Sequence, residues 1–313
     1  MTDNTQKSTP LVDPRCWDDT TAALRSAAAK LLSDGSVAAV VGYVAGRRAG
    51  SAMPAIITTA AEAEKLIFTP ACTNNLSLYL TRSKKEVRAK GKLAVMVKGC
   101  DLRAIAGLIS ENQLSRDNVV ILGLSCPGVY GASADRRQPL SAGNIAAKCR
   151  ECSVRQPENV DQLLGSLPEI PPLESSEAAE LARLEALTPQ ERWAFWNEHF
   201  SRCIRCLACR QVCPFCFCEQ CLCDRNRPQG VEGSPRPAGN TAWHIVRAMH
   251  LAGRCAGCAE CESACPMEIP LNLLNRKMAQ ELKELYGYEA GTEVQSTGPL
   301  TSYEEKDDQS FIK

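Results

Sequence analysis

Cys203, Cys206, Cys209 and Cys213 lie at three-, three- and four-residue intervals and are followed by Pro214; Cys255, Cys258, Cys261 and Cys265 repeat that spacing and are followed by Pro266. Thiolate sulfur is a soft donor suited to iron-sulfur clusters and zinc. A [4Fe-4S] cube takes one thiolate from each of four cysteines, and three cysteines at i, i+3 and i+6 on a tight loop can converge on three of its corners. Zinc also uses paired C-x2-C units, but it needs four ligands rather than two matched runs of four with a proline after each. The spacing therefore predicts two [4Fe-4S] centres, with a non-redox zinc scaffold as the alternative. Each proline turns the chain away after the last ligand and has no N–H to satisfy.

The other ten of the 18 cysteines are unevenly placed. Cys100, Cys126, Cys149 and Cys152 occur in "VKGCDLRAI", "GLSCPG" and "KCREC", and are candidates for a third [4Fe-4S] site. Cys216, Cys218, Cys221 and Cys223 follow the first motif directly. They are candidates for a further cluster or zinc site, for substitute ligands, or for simple packing, in a stretch with little room to surround another cube. Cys16 and Cys72 stand alone and read as small buried apolar residues. His199, His244 and His250 have no ligand spacing and read as helix-surface or core residues.

The elements that must hold these thiols come next. Residues 1–160 alternate helical and strand patterns. Asp18 or Asp19 is expected to cap a helix through "TTAALRSAAAKLL" that Gly35 ends, and "VAAVVGYVAG" reads as a buried strand. "KLAVMVKG" and "NVVILGLSC" read as strands flanking a helix, "DLRAIAGLISEN", capped by Asp101 with Leu102, Ile105, Ala106 and Ile109 on one face. Strand, helix and strand at this spacing favour a parallel pair with a crossover helix, so the expectation is an α/β domain with a small parallel or mixed sheet. Cys100 and Cys126 then fall at strand ends, where open α/β sheets bind ligands. Gly42, Gly46 and Gly50 are too loosely spaced for a dinucleotide fingerprint and read as turn residues.

Residues 161–187 are expected to be a linker carrying a short helix. "TPQERWAFWNEHF" then starts with Thr188 as N-cap, Pro189 at the first helical position and Glu191 as capping-box partner. Its aromatics, Trp193, Phe195, Trp196 and Phe200, are expected to pack as core. Leu271, Leu274, Met278, Leu282 and Leu285 mark one face of a later helix ended by Gly287. Residues 188–290 form the second domain, mainly α, and 291–313 an extended tail.

Two resemblances follow from these residues. The repeated C-x2-C-x2-C-x3-C-P run resembles bacterial two-cluster ferredoxins, in which the fourth cysteine of each run ligates the other cluster. That resemblance implies Cys203, Cys206, Cys209 and Cys265 around one cube and Cys255, Cys258, Cys261 and Cys213 around the second. Over roughly residues 30–155 the chain resembles the beta subunits of deazaflavin-dependent hydrogenases and formate dehydrogenases, where two strand-end cysteines and a C-x2-C pair bind one cluster. The family commonly carries a flavin and reduces a deazaflavin; FAD therefore stays open, although no phosphate-cradling glycine motif supports it. With "IPLNLLNRK" after the second run, the chain looks like bacterial members that pass electrons among a formate dehydrogenase or hydrogenase catalytic subunit and a heterodisulfide-reductase-like partner.

With 36 basic and 36 acidic side chains, the chain lacks the basic excess of a nucleic-acid binder. Its longest apolar run is too short to span a bilayer. The polar N-terminus has no signal layout, so a cytoplasmic location is expected, and a reducing compartment turns clustered thiols toward metal. Nothing resembles a nucleophile–base pair or paired carboxylates. The sequence reads as an electron-transfer subunit with three clusters and a fourth open. The competing enzyme reading is a flavin-bearing subunit that exchanges electrons with a soluble deazaflavin or nicotinamide carrier.

Overall fold

The computed structural model describes residues 9–292 apart from 82, 83, 175 and 226, together with 298, 299 and 305. In the first half, helix α1 (Arg15–Ser33) precedes strands β1 (Ala39–Ala45) and β2 (Ala52–Ile57). A short helix α2 (Lys85–Arg88), strand β3 (Leu93–Val97), helix α3 (Gly99–Ser110) and strand β4 (Val119–Leu124) follow. The short helix α4 (Ala147–Arg150) and strand β5 (Gln162–Leu164) complete it. The strands form one sheet in the order β2-β1-β3-β4-β5, antiparallel between β2 and β1 and parallel elsewhere. The expected small parallel or mixed α/β sheet is mixed and has five strands, with β3, α3 and β4 as the crossover unit. All of β3 is buried, as a parallel strand covered on both faces must be.

The hairpin between β1 and β2 bears on the glycine expectation. Gly50 lies at φ +70 in the turn, and Gly46 donates its N–H to the Ser51 carbonyl there. Gly42, however, is a strand residue paired with Ala55 rather than a turn residue. A β-carbon on it would come within 2.7 Å of Leu66 and Met96 side-chain atoms, so glycine is required by packing.

Helix starts differ from the sequence expectation in two places. Helix α1 begins at Arg15 after Pro14, which makes no side-chain cap, so Asp18 and Asp19 lie inside it. Helix α3 begins at Gly99, and Asp101 is its third residue rather than its cap. From there the Asp101 carboxylate reaches back to accept the Lys98 N–H at 2.8 Å. It also accepts the Leu76 N–H at 3.2 Å and pairs with Lys98 Nζ at 2.9 Å. Lys98 Nζ further donates to Tyr43 Oη and the Asn74 carbonyl, both at 2.8 Å. Burial opposes the Lys98 charge, but Asp101 and Tyr43 outweigh it and hold the ammonium well above the ordinary lysine range. This wholly buried pair fixes the segment that carries Cys100.

The second half is helical: α5 (Ser176–Glu185), α6 (Pro189–Ser201), α7 (Ala208–Gln211), α8 (Pro237–Leu251), α9 (Glu260–Ser263) and α10 (Leu271–Tyr286). Strand β5 lies within the stretch read as linker, because pairing with β4 draws 162–164 into the sheet. The capping box at α6 forms as expected between Thr188 and Glu191. Phe200 is buried, but Trp193 is 53% exposed, and Leu285 of α10 is 69% exposed while Leu273 is buried instead. Both exceptions occur because these helices are covered over only part of their length. Gly287 ends α10 in the left-handed conformation. The 291–313 stretch lies almost wholly outside the described residues.

The two halves share one core. Phe215 belongs to the buried cluster of the sheet and sits against Gly107 of α3, where a β-carbon would meet its ring at 2.8 Å. Arg254 pairs with Glu111, Arg276 with Glu151 and Glu177, and Arg103 with Glu289 at 2.6 Å. Among the described residues, no helix is long and apolar enough to cross a membrane. Asp101→Asn would leave a buried ammonium without its counter-charge. The expected loss is about 3–5 kcal/mol of unfolding free energy, checked by denaturant titration against wild type.

Candidate metal centres

The structure gathers twelve of the cysteines into three quartets. The first lies at the carboxyl end of the sheet. Strands β3 and β4 pair Val97 with Gly123, and Cys100 and Cys126 each follow three residues beyond, so parallel pairing brings them to the same edge. Cys149 on α4 and Cys152 just after it complete the lining of a cavity of about 570 Å³. Gly99 lets the loop approach: a β-carbon there would sit 1.8 Å from the Val154 carbonyl oxygen. Arg155, which the sequence reading passed over, ties the site together. Its guanidinium donates to the carbonyls of Pro127 and Cys149, while its own carbonyl accepts the Cys126 N–H at 2.8 Å. Cys100 occupies the first turn of α3, where the helix dipole favours negative charge.

The two C-terminal runs fold alike. Arg205 and Leu207, which flank Cys206, have φ values of 55 and 60; Gly257 and Ala259, which flank Cys258, have 66 and 53. Three non-glycine residues thus hold a left-handed conformation that costs of order 1 kcal/mol or more each. The short helices α7 and α9 then carry Cys209 and Cys261. Hydrogen bonds repeat as well: Arg205 donates its N–H to Cys203 Sγ at 3.4 Å, and the Gly257 N–H does the same for Cys255. After each proline the chain turns through Cys216 N–H to the Cys213 carbonyl and Glu268 N–H to the Cys265 carbonyl.

The fourth cysteine of each run sits with the other run. Cys203, Cys206, Cys209 and Cys265 line one cavity together with Trp243 and His244. Cys213, Cys255, Cys258 and Cys261 line another with Phe215, Arg247 and Asn275. These linings bring together the cysteines that the ferredoxin-like resemblance grouped as ligand sets. Asn275, in the "IPLNLLNRK" segment, donates to Cys261 Sγ at 3.7 Å, and Asn240 donates to the Cys203 carbonyl at 2.7 Å. Among the described residues, no three His, Cys, Asp or Glu side chains close on a single point as one metal ion would require. The first quartet borders a cavity of about 570 Å³, and the other two border small ones of about 20 Å³ each.

Burial sets the state of these thiols. It pushes Cys255 up to about 11 and Cys261 up to about 12, and raises Cys100, Cys126, Cys258, Cys149 and Cys209 as well. Without a bound cation such sulfurs stay protonated, so loading must displace protons, and only a strong Lewis acid inside the quartet makes thiolates favourable there.

The remaining thiols line none of these three cavities. Cys216 hydrogen-bonds with Cys213, which lowers its pKa and raises that of Cys213. Cys221 and Cys223 pack near the Cys203 side, with Cys223 pushed up to about 11 by burial and by Cys221. Cys218 is exposed. Cys72 is buried and Cys16 half-buried, Cys72 being held up at about 11 by burial. His244 is buried against Phe200, while His199 lies on the α6 surface and His250 is exposed. Of the arginines that flank the runs, Arg210 pairs with Asp224 and Arg254 with Glu111, while Arg205 bonds the carbonyls of Gly239 and Gly233. Arg247 on α8, outside both motifs and invisible to a motif-centred reading, is by contrast buried.

Fold and site together define a class: an α/β sheet with a cysteine quartet at its strand ends, joined to a helical half carrying two interlocked quartets. No family model matches the chain. The F420-dependent formate dehydrogenase subunit beta of Methanocaldococcus jannaschii is 33% identical over 109 residues, which is 35% of this chain and 28% of that relative. The F420-dependent formate dehydrogenase 1 subunit beta of Methanococcus maripaludis is 23% identical over 355 aligned positions, covering 86% of this chain and 90% of the relative. The chain is similar to these two beta subunits, the kind of protein that its strand-end cysteines and C-x2-C pair resemble.

The sorting of fourth ligands has a direct test. Cys213→Ser should alter the same low-temperature paramagnetic signal as Cys258→Ser, and Cys265→Ser the same signal as Cys206→Ser; grouping by sequence run instead would refute the exchange. Gly99→Ala should strip iron from the first-half site, read as a loss of about four iron atoms per chain, while the signals of the other two quartets persist.

Proposed function

We propose that this chain is an iron-sulfur electron-transfer subunit of a formate-oxidising complex, with a ferredoxin-like second half and three [4Fe-4S] centres. The observation that carries this reading is the succession of the quartets. Cys255 lines both its own cavity and the one containing Cys100, Cys126, Cys149 and Cys152. Arg247 borders the Cys255 quartet and donates to the Cys209 carbonyl of the third. The Cys255 quartet therefore stands between the other two, and the three sites form a row.

A bound [4Fe-4S] cube accepts and releases one electron at a time. The protein's own part is to hold four sulfurs per site, shield them with Phe215, Leu251 and Trp243, and supply N–H donors to the sulfurs. One end of the row reaches the surface. Cys206 is exposed and its neighbour Ile204 is 59% exposed, which suits exchange with a partner subunit. By analogy with the relatives' names, the partner at one end is a formate dehydrogenase catalytic subunit; a heterodisulfide-reductase-like subunit at the other is the further part of the proposal.

The size of the first cavity favours a second reading, in which the first half also holds a flavin and deals directly with a soluble carrier. Its 570 Å³ is within the usual range for small-molecule sites, and Arg103, Arg276 and Lys283 line it beyond the cysteines. Anaerobically purified protein should contain about twelve iron atoms and about twelve acid-labile sulfides per chain. Zinc in place of iron would overturn the electron-transfer reading. Flavin absorbance after acid release would establish the second.

A further inference from the structure

We propose that the chain sets one buried cation at each junction of the row, Arg247 and Lys148, and that together they make the middle, Cys255-containing centre the highest in reduction potential. The inference rests on the electron-transfer reading and adds to it the place where the first electron settles.

Arg247 is 6% exposed and lines the middle cavity. Its Nη2 donates to the Cys209 carbonyl at 3.2 Å, and its Nε is buried with no hydrogen-bond partner. A guanidinium does not deprotonate in proteins, so its charge is permanent. Burial opposes that charge, and the groups that offset it are the sulfurs of Cys261, Cys213, Cys216 and Cys209, which belong to or adjoin both quartets. No carboxylate compensates it among the described residues, in contrast to Arg210 and Arg254.

Lys148 occupies the other junction. It is the residue before Cys149, its side chain is 9% exposed, and Nζ donates to the Cys258 carbonyl across the gap. Glu260, 3.7 Å from Nζ and 6% exposed, partly cancels it. An all-cysteine cube is anionic and gains negative charge on reduction, so a nearby cation in a dry, low-dielectric interior favours the reduced state. The middle site faces both of these cations and each outer site one of the two; of the other cations lining the outer sites, Lys98, Arg103, Arg276 and Lys283 are paired with carboxylates, and Arg155 and Arg205 are half-buried. Arg247, lacking a carboxylate partner, has the larger effect.

The experiment is an anaerobic redox titration of the full-chain holoprotein, followed by low-temperature paramagnetic resonance, with iron and sulfide measured on each sample. In wild type the signal assigned to the Cys255 centre should appear first on reduction. Arg247→Met should lower the reduced-to-oxidised ratio of the Cys255 and Cys203 centres by roughly tenfold or more at fixed potential and spare the Cys100 centre. Arg247→Lys should restore most of it. Lys148→Met should lower the Cys255 and Cys100 centres by a smaller factor, and Glu260→Gln, which removes no cation, should raise the middle centre. The proposal falls if the middle centre of wild type is reduced last, or if fully loaded Arg247→Met titrates as wild type. Should that variant fail to load iron, an unchanged middle centre in loaded Glu260→Gln refutes it equally. Absence of iron and sulfide from wild type would instead refute the electron-transfer reading itself.

Discussion

Sulfur can be held as thiolate in a dry interior only if positive charge is brought to it. Burial raises most of the quartet cysteines, so a quartet would be stable as a ligand set only with a metal centre inside and donors or cations around it. The rest of the structure follows from that requirement. Backbone N–H groups aim at Cys203 and Cys255, the first turn of α3 points at the first site, Asn275 reaches Cys261, and Arg247 and Lys148 stand between sites. The left-handed residues around Cys206 and Cys258 are the local strain that this aiming costs.

The same requirement joins the halves. Cys213 and Cys255 pack against the core of the sheet, whereas Cys261 belongs to the hydrophobic cluster around Phe200 and Trp243. The middle quartet thus straddles two clusters of apolar side chains, and Phe215 fills the space that Gly107 leaves open on α3. Helix α3 is consequently covered both by the sheet and by the C-terminal half. That explains why Ala104 and Leu108 are buried in addition to the face marked by Ile105 and Ala106. A row of sites built this way depends on the docking of the two halves as much as on either alone.

Much of this was legible from residue order. The spacing of the cysteines, the proline after each run, the strand patterns of β3 and β4 and the capping box of α6 are local features, and local chemistry decides them. Misreadings arose where one local signal had two solutions. Asp101 is a good cap by type, but Gly99 and Lys98 begin the helix earlier and turn Asp101 into the buried partner of Lys98. Trp193 and Leu285 fit an apolar face, yet among the described residues no neighbour buries them. Arg247 lies outside both cysteine runs in sequence and comes to them only through packing.

Cysteine spacing by itself determined how many sulfurs each loop could present and what kind of centre they suit, because three residues of tight loop limit where sulfurs can point. It could not decide how the sites are ordered, which cation lies between them or which cysteine faces water. Those follow from the docking of α8 and α9 on the sheet half, through contacts between residues as distant in sequence as Lys148 and Cys258. Only packing brings such residues together, since no period or motif in the chain links their positions.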